Sequence, residues 1–224
     1  MSLLASIDVG SNTFRLLIGE VADTGIVDVF SDRKVTRLGE GLDKTGGLQE
    51  KNMRDSLAAL REFASSISRY GVADVRAVAT SALREASNAQ TFIQQVYDHT
   101  GIPIEVITGS REAELTLKGI LFSFSRAGIH GSHFIVDIGG GSTECILCRD
   151  ERVIFMESIP VGVIKFTGLF LRSDPPSEKD IADLNSEIIS ILNSLNARVG
   201  RYMSPDTGLV GTAGTFSTLA SIDL

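Results

Sequence analysis

Two periodicities run through this chain. Over residues 49–70, Met53, Leu57, Leu60, Phe63, Ile67 and Tyr70 recur at spacings of three and four, and Gly71 follows. That pattern predicts an amphipathic helix packed on a core and ended by the glycine. Further helices are predicted at 88–99, at 111–124, and after Pro160-Val161-Gly162 through Phe170. Ser177-Glu178-Lys179-Asp180 resembles a capping box with Asp in place of the usual Glu. It opens a long helix striped by Ile181, Leu184, Ile188, Ile191, Leu195 and Val199 and closed by Gly200. Short apolar runs predict strands at 72–80, 103–107 and 152–159. Residues 26–30 are predicted to continue an N-terminal hairpin, 31–51 to be loop, and the small polar stretch 125–131 to be a hinge.

The most informative pattern is strand, tight turn, strand, and it occurs twice. Phe134-Ile135-Val136-Asp137-Ile138 runs into Gly139-Gly140-Gly141-Ser142-Thr143, and a second apolar run begins at Glu144. Leu4-Ala5-Ser6-Ile7-Asp8-Val9 runs likewise into Gly10-Ser11-Asn12-Thr13, followed by Phe14 to Gly19. Glycines at a hairpin tip allow successive backbone N–H groups to approach one anion closely. An Asp at the strand end can hold Mg²⁺ through water. A single tip of this kind is equally well a plain turn. Its recurrence with the Asp in place, about a small domain's length away, argues for duplicated domains whose tips clamp phosphate from two sides. The tip at 139–143 is not a P-loop, since no Lys precedes Ser142 or Thr143, and it is not a dinucleotide fingerprint, since a strand follows the glycines.

Charge narrows the ligand. Among 224 residues, 21 basic against 28 acidic ones give a net charge of −7. That argues against a nucleic-acid surface, and it weighs against a long groove tracking a polyphosphate chain. A short phosphorylated ligand held by backbone N–H groups and Mg²⁺ needs less positive charge. No apolar window approaches the ~18 residues of a membrane span, and Met1-Ser2-Leu3 gives no signal-like start. No membrane partner is therefore expected, and a cytoplasmic location is the default. Cys145 and Cys148, three apart on a strand, point to opposite faces and suit neither a bridge nor a shared metal. His99, His130 and His133 have no neighbouring ligand set.

Several segments resemble one family. Asp8-Val9-Gly10-Ser11-Asn12-Thr13, Arg37-Leu38-Gly39-Glu40-Gly41-Leu42, Ala79 to Ala86, Asp137 to Glu144, and Gly211-Thr212-Ala213-Gly214-Thr215 are similar to motifs of the Ppx/GppA phosphatases. These are exopolyphosphatases and guanosine pentaphosphate phosphohydrolases within the actin, sugar-kinase and heat-shock ATPase superfamily. The resemblance implies an α/β fold of two ribonuclease-H-like domains around a cleft, expected here at 1–125 and 126–224, the second incomplete relative to the family. An incomplete lobe would leave apolar surface that a second copy could cover as a homodimer.

The implied activity is Mg²⁺-dependent release of terminal phosphate from inorganic polyphosphate or guanosine pentaphosphate. Gly10, Ser11, Asn12, Thr13, Gly139, Gly140, Gly141, Ser142, Thr143, Gly211, Thr212 and Gly214 are expected to bind phosphate, and Asp8, Asp137 and Glu144 to hold the ion. Arg84, at the carboxyl end of a predicted strand, could offer a phosphate two parallel hydrogen bonds. The resemblance points to Glu112 as the base that orients water. It departs from the family pattern around that residue, where Arg111 and Glu114 stand reversed, and at Ile164-Lys165-Phe166-Thr167-Gly168, which lacks the family's Glu. Those departures leave room for a guanosine tetra- or pentaphosphate-binding regulator with little catalysis.

Overall fold

A computed structural model describes residues 2–22 and 25–223. The chain divides into two compact units, Met1–Ile107 and Thr108–Leu224. In the first, β1 (Leu3–Val9), β2 (Thr13–Ala22) and β3 (Gly25–Val35) form an antiparallel meander. α1 (Leu42–Thr45) and the long α2 (Glu50–Tyr70) lead to β4 (Asp74–Ala79), and α3 (Ser81–Glu85) and α4 (Ala89–Thr100) to β5 (Ile104–Val106). β4 lies parallel to β1 and β5 parallel to β4, giving the order β3-β2-β1-β4-β5. One face of this sheet carries Ile7, Val9, Phe14, Leu16 and Ile18, packed with Leu60 and Phe63 of α2 and Phe92 and Val96 of α4. The predicted stripe on 49–70 is thus the core face of α2.

The second unit repeats the plan. α5 (Gly109–Ala127) precedes β6 (Ser132–Ile138), β7 (Thr143–Arg149) and β8 (Arg152–Ile159), again an antiparallel meander. α6 (Val163–Phe170) and α7 (Glu178–Val199) lead to β9 (Gly208–Thr212), parallel to β6, and then α8 (Ala213–Asp223). The order is β8-β7-β6-β9. Three antiparallel strands followed by a parallel fourth reproduce the ribonuclease-H-like arrangement expected of both units. β7 is covered on both sides. Ile146 and Cys148 pack with Ala113 and Leu117 of α5, while Cys145 and Leu147 pack with Leu195 and Val199 of α7. The two cysteines accordingly lie on opposite faces, and burial pushes the Cys145 thiol up to about 12.

Three expectations differ from the structure. β3 runs on to Val35 instead of ending at Phe30, because Ser31 to Lys34 form a polar edge strand, a common protection for an open sheet edge. α5 extends to Ala127, into the expected hinge. It packs on the second sheet through Ala113 and Leu117, so the compact units divide at 107/108 and not at 125/126. Of the apolar stripe predicted on α7 only Leu195 and Val199 are buried, and Ile181 is 47% exposed. Its capping box is complete: Ser177 Oγ accepts from Asp180 N at 3.1 Å, and Asp180 Oδ2 accepts from Ser177 N at 3.3 Å. No helix among the described residues is long and apolar enough to cross a membrane.

Candidate active site

The second hairpin tip is shaped by helix α6. The first three amides of α6 would be unsatisfied within the helix. Here Val163 N donates to Gly139 O at 3.0 Å, and Ile164 N and Lys165 N donate to Gly140 O at 2.8 and 3.1 Å. A trans peptide sets N–H opposite its C=O. With the carbonyls of Gly139 and Gly140 turned toward α6, the N–H groups of Gly140 and Gly141 point away from it. Gly162 makes this contact possible, since a Cβ there would lie 2.4 Å from Gly141 N and C. Gly139 N closes the turn on Ser142 O at 2.9 Å.

Strand register then sets a polar row on the α5 face of the sheet. Asp137 is the direct partner of Glu144 on one side and of Thr212 on the other, and Glu144 is the partner of Ser158. Direct cross-strand partners have Cβ atoms ~4.5–5.5 Å apart, so the two carboxylates are neighbours. Glu144 is 1% exposed, and its Oε1 accepts from Ser158 Oγ at 2.8 Å. Asp137 Oδ2 accepts from Thr116 Oγ1 at 3.2 Å. Glu112 stands one turn before Thr116, and residues four apart share a helix face. This half-buried Glu therefore lies on the face that meets Asp137, toward the start of α5. Arg111 Nη1 and Glu114 Oε2, at 2.8 Å, pair with each other on the exposed side. The reversed neighbours of Glu112 are spent on one another.

The first tip is built on the same plan with a different strap. Asp8 is the partner of Arg15 as Asp137 is of Glu144, seven residues on in each case. Gly10 N-terminal to the turn mirrors Gly139: a Cβ would meet Thr13 O at 2.8 Å in one and Ser142 O at 3.1 Å in the other. Gly39 N donates to Ser11 O at 2.9 Å, and Thr36 N and Arg37 N both donate to Asn12 O at 3.0 Å. By the same peptide geometry, the N–H groups of Asn12 and Thr13 face away from the 36–39 segment. That gives a structural reason for the Arg37 to Leu42 motif. Asn52 of α2 holds the strap by donating to Arg37 O at 3.0 Å.

Some predicted phosphate ligands have structural duties. Ser11 is buried, and its Oγ accepts from Ala82 N at 3.2 Å at the start of α3. Thr143 Oγ1 donates to Val161 O at 2.6 Å. Gly211 gives room to Phe216, whose ring would lie 2.1 Å from a Cβ, whereas Gly214 borders open space. Between them Ala213 takes a left-handed φ of 67°, and Thr215 Oγ1 donates to Ile138 O at 3.2 Å, tying this loop to the end of β6. Arg84 Nη1 donates to Ile107 O at 2.8 Å, which fixes the guanidinium at the end of β5. Thus Glu112, Asp137, Glu144, Gly139–Thr143 and Thr212 come together in the second unit, while Asp8, Gly10–Thr13 and Arg84 belong to the first. Thr116 and Ser158 escaped notice in the sequence, and Gly162 was read only as part of a turn into a helix. Only the spacing of Thr116 four residues after Glu112 hinted at its role.

The chain is similar to several known proteins. The profile of the Ppx/GppA phosphatase family matches residues 17–224. Exopolyphosphatase 2 of Mycobacterium tuberculosis is 32% identical over 231 residues, covering 99% of this chain and 71% of that protein. The crystal structure of an exopolyphosphatase from Cytophaga hutchinsonii superposes with a TM-score of 0.87 at 29% identity, over 99% of this chain and 70% of the other. For the Aquifex aeolicus member of the Ppx/GppA family the values are 0.73, 31%, 99% and 69%. With a similar sheet order in both units, a recurring strand–turn–strand tip and a match over residues 17–224, this chain belongs to the Ppx/GppA phosphatase family.

Proposed function

We propose that the protein hydrolyses the terminal phosphoanhydride of inorganic polyphosphate, with guanosine pentaphosphate as the alternative substrate. The observation that carries the reading is the second tip. Its carbonyls are taken by α6, its Gly140 and Gly141 amides face the other way, and it stands at the end of a strand whose Asp137 lies beside Glu144. Those amides would hold the non-bridging oxygens of the terminal phosphate. The repeated tip of the first unit and Arg84 would hold phosphate by the same chemistry. Glu112 would accept a proton from water as its oxygen bonds to phosphorus. The bridging P–O bond breaks, and its electron pair leaves with the shortened chain. Positioning and charge neutralisation supply most of the catalysis in such a transfer.

Asp137 and Glu144 fit Mg²⁺. Two adjacent carboxylates are what that ion takes from a protein when water and phosphate fill its remaining positions. Among the described residues no group of three or more His, Cys, Asp or Glu could hold a metal alone, so the ion would depend on the substrate's oxygens. When bound it would neutralise charge on the transferring phosphate. Asp8, at the equivalent strand end, is the corresponding acid of the first unit.

Phosphate release from polyphosphate and from guanosine pentaphosphate, each with and without Mg²⁺, tests the reading. Release from polyphosphate only with Mg²⁺ is expected. Tight nucleotide binding without release from either would instead support a regulatory role.

A further inference from the structure

The net charge of −7 conceals a local excess of the opposite sign. β2 and β3 pair so that Arg15 lies directly opposite Arg33, on the face of the first sheet turned away from its core. Like charges in direct cross-strand pairing are destabilising. Arg37 follows two residues beyond β3 and is exposed, with its backbone in the left-handed region at φ 50°. That conformation is costly for a residue with a side chain, and it persists where surrounding contacts over-determine it. Here those contacts are with the hairpin tip, through Arg37 N on Asn12 O, and with α2, through Asn52 on Arg37 O. Lys34, on the other face, is neutralised by Glu62 and Asp32. Asp8 is the only acid in the Arg15 row of β1, β2 and β3, and among the described residues none of the three guanidinium groups has an ion-pair partner.

We propose that Arg33 and Arg37, beside Arg15, form a docking patch for the non-terminal phosphates of an inorganic polyphosphate chain. The inference rests on the first tip being a phosphate site and adds what lies beyond it. Thr13 and Arg15 share one face of β2, and two residues of strand separate them by ~7 Å. A ligand held at the Asn12 and Thr13 amides must therefore extend past its first phosphate to reach the arginine row. Guanidinium groups suit repeated bidentate contacts with phosphate oxygens. A chain of identical phosphates can satisfy several at once, and in doing so it relieves the Arg15–Arg33 repulsion.

The test compares the full chain with its Arg33→Ala/Arg37→Ala variant, using long-chain polyphosphate and tripolyphosphate as probes. Calorimetric affinity and phosphate release are both measured. Loss of two charge-assisted contacts should weaken long-chain binding by roughly 100-fold. In the Arg33→Ala single variant, which leaves the 36–39 strap intact, tripolyphosphate affinity and kcat should stay within about twofold. The Arg33→Lys/Arg37→Lys variant should recover part of the loss. Arg37→Gly relieves the left-handed backbone while deleting the guanidinium, so it should melt no lower than wild type yet bind the long chain less tightly. An equal loss for both probes, or none, overturns the patch. Wild-type hydrolysis of both probes with an unaffected double variant overturns the patch alone. Wild-type failure to bind either probe overturns the phosphate site as well.

Discussion

Substitution of Gly162 by Ala isolates the geometry of the second tip. Gly162 has an extended backbone, φ −149° and ψ 152°, that any residue adopts, so only space opposes a side chain. A Cβ would stand 2.4 Å from Gly141 N and C and 2.5 Å from Gly140 C, all of them backbone atoms. Ordinary contact begins near 3.4 Å, so the tip and the start of α6 would have to part by about 1 Å. Overpacking of this sort costs ~1–3 kcal/mol of stability. A displacement of ~1 Å at a positioning element costs on the order of 10²-fold in rate. The expected result is a folded protein with a lower urea midpoint and a kcat for phosphate release reduced about 10²-fold. Gly119→Ala is the control: nothing lies within 4 Å of that position in α5, and a helix interior should gain up to ~1 kcal/mol from the change. Gly162→Ala with wild-type turnover and the expected loss of stability would refute the assignment of the tip to phosphate binding.

Four further outcomes follow from the same geometry. Glu112→Gln should lower kcat by ~10²–10⁴ while substrate still binds, as measured by steady-state release and calorimetry. Unchanged turnover would remove Glu112 from the chemistry. Thr116→Val, which deletes the hydroxyl on Asp137 Oδ2, should raise the Mg²⁺ concentration needed for half-maximal release without abolishing it, as loss of an outer partner typically costs ~10–100-fold in metal affinity. Burial pushes the Asp180 carboxyl up, but hydrogen bonds from Ser177, Arg172 and Ser173 outweigh it and hold it below 3.8. Its contribution to stability is therefore present above that value and lost as pH falls through the lower folded-state value. Thermal melts of wild type and Asp180→Asn should differ at neutral pH and converge in that acidic window. Cys145, raised from 9.0 to about 12, stabilises the fold fully below pH 9.0 and loses that contribution toward pH 12. Its thiol should resist a disulfide reagent at pH 8 in the native protein and react on unfolding.

What could be read from the chain was mostly what one strand or helix decides by itself. The hairpins were legible because β-branched runs break at glycines, and the helices because their stripes are periodic. A stripe does not name the surface it will meet, which is why Ala113 and Leu117 did not reveal that α5 packs on β6 and β7. The end of β3 was missed because an edge strand has polar residues where a central one has apolar residues. Asp137 was legible from its place at the end of a strand that runs into glycines, and Glu112 and Glu144 were named from motif resemblance. Their partners Thr116 and Ser158 depend on register, which comes into being only when strands pair. The Arg15–Arg33 row was hidden for the same reason, and total charge gave no hint of it.

The two tips show how a duplicated element can keep its chemistry while its support changes. An amide can face an anion only if the carbonyl of the same peptide has a partner on the opposite side, because the planar bond fixes one when the other is set. In the second unit that partner is a helix start, which needs acceptors for its own unsatisfied amides, so α6 and the glycine tip complete each other. In the first unit no helix follows β3 closely, and the amides of Thr36, Arg37 and Gly39 do the same work from a loop. The cost of that substitution is visible in Arg37, the one non-glycine residue of this strap held at a positive φ. Replacing Asn52 by Ala would remove the donor to Arg37 O and loosen the first strap alone. A fall in phosphate affinity with Gly162 and α6 untouched would then show that the orientation of carbonyls, common to both tips, is what makes either of them bind.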